Sequence, residues 1–134
     1  MSKSNAIEIE KEVGDQVRLY VYRVPKKNDD TMLQICSQFI DMFRKHGCHA
    51  RSFQLDSTRP QRGFTSMTNA VAAAQDDEVW LDMEYYRDRK HMNDVVSKIE
   101  SDESALSLMK QYLDLLTPGS SPIREEFSRL KMDK

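Results

Sequence analysis

Three groups of residues in this chain have side chains suited to chemistry. The stretch "FRKHGCHARSFQLD" puts His46, Cys48 and His49 within four residues. The stretch "EVWLDMEYY" puts Asp82 and Glu84 two apart, just after Trp80. The stretch "STRPQRG" carries Arg59 and Arg62. Each pattern points to a different chemistry: metal or thiol, general acid and base, and anion binding.

The metal reading needs four tetrahedral ligands for a closed structural zinc, usually as two ligand pairs. Neither Cys36 nor His91 stands at a spacing that supplies the second pair. Local structure also opposes convergence. Lys45 and His46 suit the last turn of a helix, and Gly47 suits the left-handed residue that ends one. Cys48 and His49 then start a strand and point to opposite faces. The same geometry separates a thiol from its base. No metal, no cofactor and no Cys–His nucleophile is therefore expected here.

The acid pair is more promising. Two carboxylates two residues apart on a strand share one face, about 7 Å apart. Turned into a closed interior, desolvation would raise at least one pKa, as a general base at neutral pH requires. The structural alternative is an ion pair with Arg18 on a neighbouring strand, or with arginines of a second copy. The ligand-binding candidates are Tyr20, Tyr22, His49, Trp80, Asp82 and Glu84. Arg59 and Arg62 read as residues of a solvated loop.

These residues need elements to hold them. "VRLYVYRV" at 17–24 alternates, with both faces apolar or aromatic, and predicts a central strand ended by Pro25. A helix follows, with Asn28 as N-cap, Asp29 and Asp30 in its first turn, and Met32, Ile35, Cys36, Phe39, Ile40 and Phe43 on one face. Strands are predicted at 48–55 and 78–86, separated by a long connection at 56–77 with a short helical turn at "AVAAA". Two helices carry the stripes Met92, Val95, Val96, Ile99 and Ala105, Leu108, Met109, Tyr112, Leu115, Leu116. The fourth strand is supplied by one end of the chain. "AIEIEKEV" at 6–13 is a candidate edge strand, and "PIREEFSRLKM" at 122–132 fits either a strand or a helix. The order is β-α-β-β-α(α)-β, an α+β ferredoxin-like fold, its antiparallel sheet covered by helices on one face. Residues 1–16 read as an N-terminal extension and 17–134 as a single domain.

"YVYRVPKKNDD", "FRKHGCHARSFQLD" and "GFTSMTNAVAAAQDDEVWLDMEYYRDRKHMND" together resemble the YbaA-like family of small proteins, within the dimeric α+β barrel group. The resemblance implies a homodimer whose two sheets face each other, and no established reaction.

Physical argument leads to the same dimer. If Tyr20, Tyr22, Val24, Trp80 and Tyr86 lie on the face away from the helices, water would meet a larger aromatic surface than soluble monomers expose. A second copy would bury it. Composition narrows the partners further. With 20 basic and 22 acidic residues the formal charge is −2, which gives no field for nucleic acid. "EVWLDMEYY" also lacks the basic-Gly-aromatic pattern of RNA-recognition strands and places acids where phosphates would approach. No apolar run is long enough to span a membrane, and no signal peptide opens the sequence, so a cytoplasmic chain with reduced thiols is expected. The functional expectation is a small-molecule pocket between sheet and helices or inside the dimer, with catalysis left open. The alternative is a non-enzymatic dimerisation module.

Overall fold

The computed structural model describes residues 14–132. Four strands form one antiparallel sheet: β1 (Gln16–Pro25), β2 (His49–Gln54), β3 (Asp77–Tyr86) and β4 (Ile123–Ser128), in the order β2-β3-β1-β4. Helices α1 (Asp29–Arg44), α2 (Met67–Ala70), α3 (Arg89–Glu100) and α4 (Glu103–Leu115) complete the chain. This is the α+β ferredoxin-like arrangement expected from the periodicities, with the long helices on one sheet face.

The C-terminal segment resolves as a strand, pairing with β1 from Gln16↔Ser128 to Val21↔Ile123. The alternating Ile123 and Phe127 suit a sheet edge as well as a helix face, and pairing with the open side of β1 decides between them. The candidate strand at 6–13 lies outside the described residues.

One expectation is reversed. Tyr22, Val24, Trp80 and Tyr86 face the helices and are at most 5% exposed in the single chain. Tyr22, Val24 and Trp80 form one core cluster with Met32, Ile35, Cys36, Leu108, Tyr112 and Leu116. Tyr86 joins a second with Phe43, Cys48, Met92, Val95, Ile99 and Ala105. Alternation identifies two faces but does not say which one the helices take when both are apolar. Here the bulky aromatic set fills the gap beneath the helix layer, and Tyr112 of α4 meets Tyr22 edge-on at 5.0 Å between ring centroids, the geometry aromatic quadrupoles favour. The odd-numbered residues therefore form the outer face: Leu19 on β1, Phe53 on β2, Leu81 and Met83 on β3, and Ile123 and Phe127 on β4.

The helix ends follow the sequence closely, with one change. Asn28 occupies the N-cap position of α1 but makes no side-chain cap. Its Nδ2 instead donates to the Leu115 carbonyl at 3.0 Å, satisfying an orphan group at the end of α4. Asp88 caps α3 by accepting from the His91 amide, and Asp102 caps α4 by accepting from Ser104 and Ala105. At the other end of α1, Gly47 adopts φ +75°, where any side chain would be strained. The buried His91 ring fixes this corner: Nδ1 accepts from the Arg87 amide at 3.1 Å, so Nε2 carries the proton and donates to the His46 carbonyl at 3.1 Å. "KHG" is thus a helix stop with a clamp.

Candidate functional site

The helical stripes are not packed to the end. Phe39 and Ile40 of α1, Val96 of α3 and Met109 of α4 point inward without being fully buried. Between them and the sheet lies a cavity of about 110 Å³. That is of the order of the ~150 Å³ apolar cavity that admits benzene. Its walls are chiefly apolar, and its floor is polar because the even-numbered residues of β1 and β3 end there: Arg18, Tyr20, Asp82 and Glu84. Exposed Met109, Glu100 and Arg124 also line it and mark its mouth.

The two acids have separate environments. Glu84 is matched with Arg18 across β1 and β3, at 3.6 Å from Nε to Oε1, and it accepts from the Tyr86 hydroxyl at 2.5 Å. Burial raises its pKa, against the opposing pull of Arg18 and the tyrosine hydroxyls. This is the structural ion pair foreseen as one alternative for the acid pair. Among the described residues no cation is matched to Asp82 in this way. Burial pushes it up to about 6, while bonds from Ser52 and Tyr22 hold it down. Tyr22 donates to both carboxylate oxygens at 2.9 Å. A carboxylate at this value is mostly ionised at pH 7 yet basic enough to take a proton.

Cys36 extends this group. Its Sγ lies 3.3 Å from the Tyr22 oxygen. Since the Tyr22 proton goes to Asp82, the thiol donates, giving a line from Cys36 through Tyr22 to Asp82. Burial and then the Asp82 charge push Cys36 up to about 11, so it is a thiol and not a nucleophile at neutral pH. Cys48 is fully buried and, chiefly by burial, pushed up to about 12. Both cysteines are free.

Of the candidates read from sequence, Tyr20, Asp82 and Glu84 line the cavity, and Tyr22 stands behind Asp82. Trp80 and His49 are not brought to it. Trp80 packs in the core and donates to Glu78 at 3.0 Å. His49 sits opposite Tyr85 in register, on the outer face. Cys48 ends up beneath Tyr86 in the core, so the "HGCH" residues do not converge. Among the described residues no group of three or more His, Cys, Asp or Glu could hold a metal ion. Ser52, Arg124 and Tyr112 were missed as site residues. The signal for Ser52 was in the register: it is the cross-strand partner of Asp82. Tyr112 was visible only as a member of a helical stripe. Among the described residues no helix is long and apolar enough to cross a membrane.

Two polar atoms of the site are buried without a hydrogen-bond partner among the described residues: the Tyr112 hydroxyl and Arg18 Nε. Glu84 is near enough to Arg18 Nε for an ion pair and too far for a hydrogen bond.

No curated protein matches the chain. Among solved structures it is similar to SnoaB, a cofactor-independent oxygenase from Streptomyces nogalater, with a TM-score of 0.52, 10% identity, and coverage of 89% of this chain and 97% of that one. At that identity the likeness establishes the fold and nothing about the reaction. Residues 15–114, which span the first three strands, the first three helices and all but the last residue of α4, match the family described as "Protein of unknown function (DUF1428)", and the chain belongs to that family.

Proposed function

We propose that this protein binds a small, largely apolar molecule, about one ring in size, in the cavity between sheet and helices, and that Asp82 is its proton acceptor. The observation that carries the reading is a carboxylate held by hydrogen bonds but by no cation among the described residues, its pKa pushed up to about 6, on the floor of an unfilled apolar cavity. Burying a carboxylate without a matching cation is costly. The chemistry needs no metal and no organic cofactor, since proton transfer is within reach of side chains alone. The fold likeness to a cofactor-independent oxygenase is consistent with a cavity of this kind. The YbaA-like resemblance and a cytoplasmic location, where Cys36 and Cys48 would stay reduced, belong to the same proposal.

The test is a chemical-shift titration with phenol and with 1,4-benzoquinone as single-ring probes. Shifts are expected to cluster on Phe39, Ile40, Val96 and Met109. No saturable shift, or shifts confined to the outer sheet face, would overturn the reading.

The outer face supports a homodimer as part of this proposal. Phe53, Ile123 and Phe127 are 44–50% exposed, and Leu81 and Met83 lie between them, half-buried. A second copy laid sheet to sheet would remove this strip from water at ~25 cal/mol per Å². Leu81→Asp is expected to turn a dimer into a folded monomer in analytical ultracentrifugation. A wild-type protein already monomeric at tens of micromolar would refute the dimer and leave the cavity reading intact.

A further inference from the structure

The cavity holds an acceptor that can take a proton and two donor atoms, Arg18 Nε and the Tyr112 hydroxyl, without a hydrogen-bond partner among the described residues. Arg18 and Tyr112 are each linked to Asp82 through one residue. The Arg18 guanidinium lies 5.4 Å from the Tyr20 ring centroid, and Tyr20 is the cross-strand partner of Asp82. Tyr112 packs edge-on against Tyr22, which hydrogen-bonds Asp82. Both donors are nearly buried: the Arg18 side chain is 6% exposed and Tyr112 6%. A buried donor atom without an acceptor is costly, even where its charge is matched as that of Arg18 is by Glu84, so the folded chain carries a standing preference for a molecule that brings an acceptor to these two atoms.

Building on the cavity reading, we propose that the ligand is an enolisable carbonyl compound, with its acidic C–H against Asp82 and its carbonyl oxygen received by Tyr112 and Arg18. The step balances without a further reactant. The C–H bond breaks, its proton goes to the Asp82 carboxylate, and the electron pair moves onto the carbonyl oxygen as an enolate. The Tyr112 O–H and Arg18 N–H meet the charge where it develops, which is where fixed donors accelerate a reaction most. Asp82 then protonates the same carbon, giving exchange once its acquired proton has swapped with solvent, or a conjugated carbon, giving an isomer. A neutral ketone suits this floor, since Asp82, the group its C–H must meet, is itself negative, and Glu84 already holds Arg18 as its cation. The apolar walls of Phe39, Ile40, Val96 and Met109 suit the carbon skeleton.

A phenolate reproduces the planar oxyanion of an enolate, so 4-nitrophenol is the probe, with its absorbance reporting ionisation. Binding to the wild type at pH 7, where Asp82 is mostly ionised, is expected to favour the neutral phenol. Asp82→Asn imitates the protonated base and is expected to bind the phenolate at least about tenfold tighter. Tyr112→Phe removes a hydroxyl that has no hydrogen-bond partner among the described residues. It is therefore expected to keep or raise the melting temperature while weakening the phenolate about tenfold, the value of one charge-assisted hydrogen bond. In D2O the wild type is expected to speed C–H to C–D exchange of cyclohexanone, and Asp82→Asn to abolish that acceleration. If 4-nitrophenol binds but Tyr112→Phe leaves its affinity unchanged, the enolate assignment is overturned and the cavity reading survives. If it binds neither wild type nor Asp82→Asn, both fall.

Discussion

Asp82→Asn is expected to stabilise the protein at pH 7 by on the order of 2 kcal/mol. The carboxyl titrates at about 6 in the folded chain against ~3.9 when exposed, and each pKa unit is worth ~1.4 kcal/mol of differential stability. Some residual hydration at this half-buried position reduces the full product. The sign follows from proton uptake. Between about pH 4 and 6 the folded state holds a proton that the unfolded state has released, so the contribution of Asp82 is complete below about 4 and is lost as pH rises to about 6. The amide keeps an oxygen for the Tyr22 hydroxyl, so the substitution removes the charge and leaves the bond. Glu84 is also raised by burial and titrates in both proteins, and the difference between their urea-derived stability profiles isolates Asp82. Near-equality below about pH 4, with divergence through pH 6, is the expected shape. Profiles that superimpose at pH 7 would mean that the carboxylate is solvated and is not a tuned base. A side chain whose removal stabilises the fold is retained for something other than folding.

The sequence disclosed the parts more fully than their orientation. Helix α1 was legible from Asp29 to Gly47 because face spacing and termination are local chemistry, while the Asn28 side chain, read as its cap, turned to the Leu115 carbonyl. Three strands were legible because period-2 alternation is local as well. Which side of β1 the helices take was not, because Val17, Leu19 and Val21 are as apolar as Tyr20 and Tyr22, and only long-range packing discriminates between them. That reversal moved Trp80 from candidate site into core, and moved the proposed dimer surface from the aromatic set to Leu81, Met83 and Phe53. The acid pair survived the reversal. Asp82 and Glu84 share a face whichever way the sheet turns, and their environment differs only through what the register brings opposite them, Ser52 and Tyr20 for one, Arg18 for the other. The cavity had no local signal. It exists because Phe39, Ile40, Val96 and Met109, each an ordinary stripe residue, fail to meet over the floor.

The largest loss of stability is expected from Arg18→Met. Arg18 and Glu84 have side chains only 6% and 7% exposed, and they face each other between the two central strands. Their attraction barely offsets the cost of dehydrating both, yet removing one partner strands the other charge, a change typically costing about 3–5 kcal/mol. Arg18→Met leaves Glu84 with the Tyr86 and Tyr20 hydroxyls as its support, and those bonds do not neutralise a buried anion. Glu84→Gln is expected to restore most of the loss when combined with Arg18→Met, since the pair is then replaced by two uncharged side chains and the Tyr86 hydroxyl keeps an acceptor. Equilibrium urea unfolding of the wild type, both single variants and the double variant closes the cycle. Additive losses would show that the 3.6 Å approach is not an energetic coupling. Coupling of several kcal/mol would show that Glu84 is committed to Arg18, which leaves Asp82 as the carboxylate free to take a proton and separates the structural acid from the chemical one on a single strand.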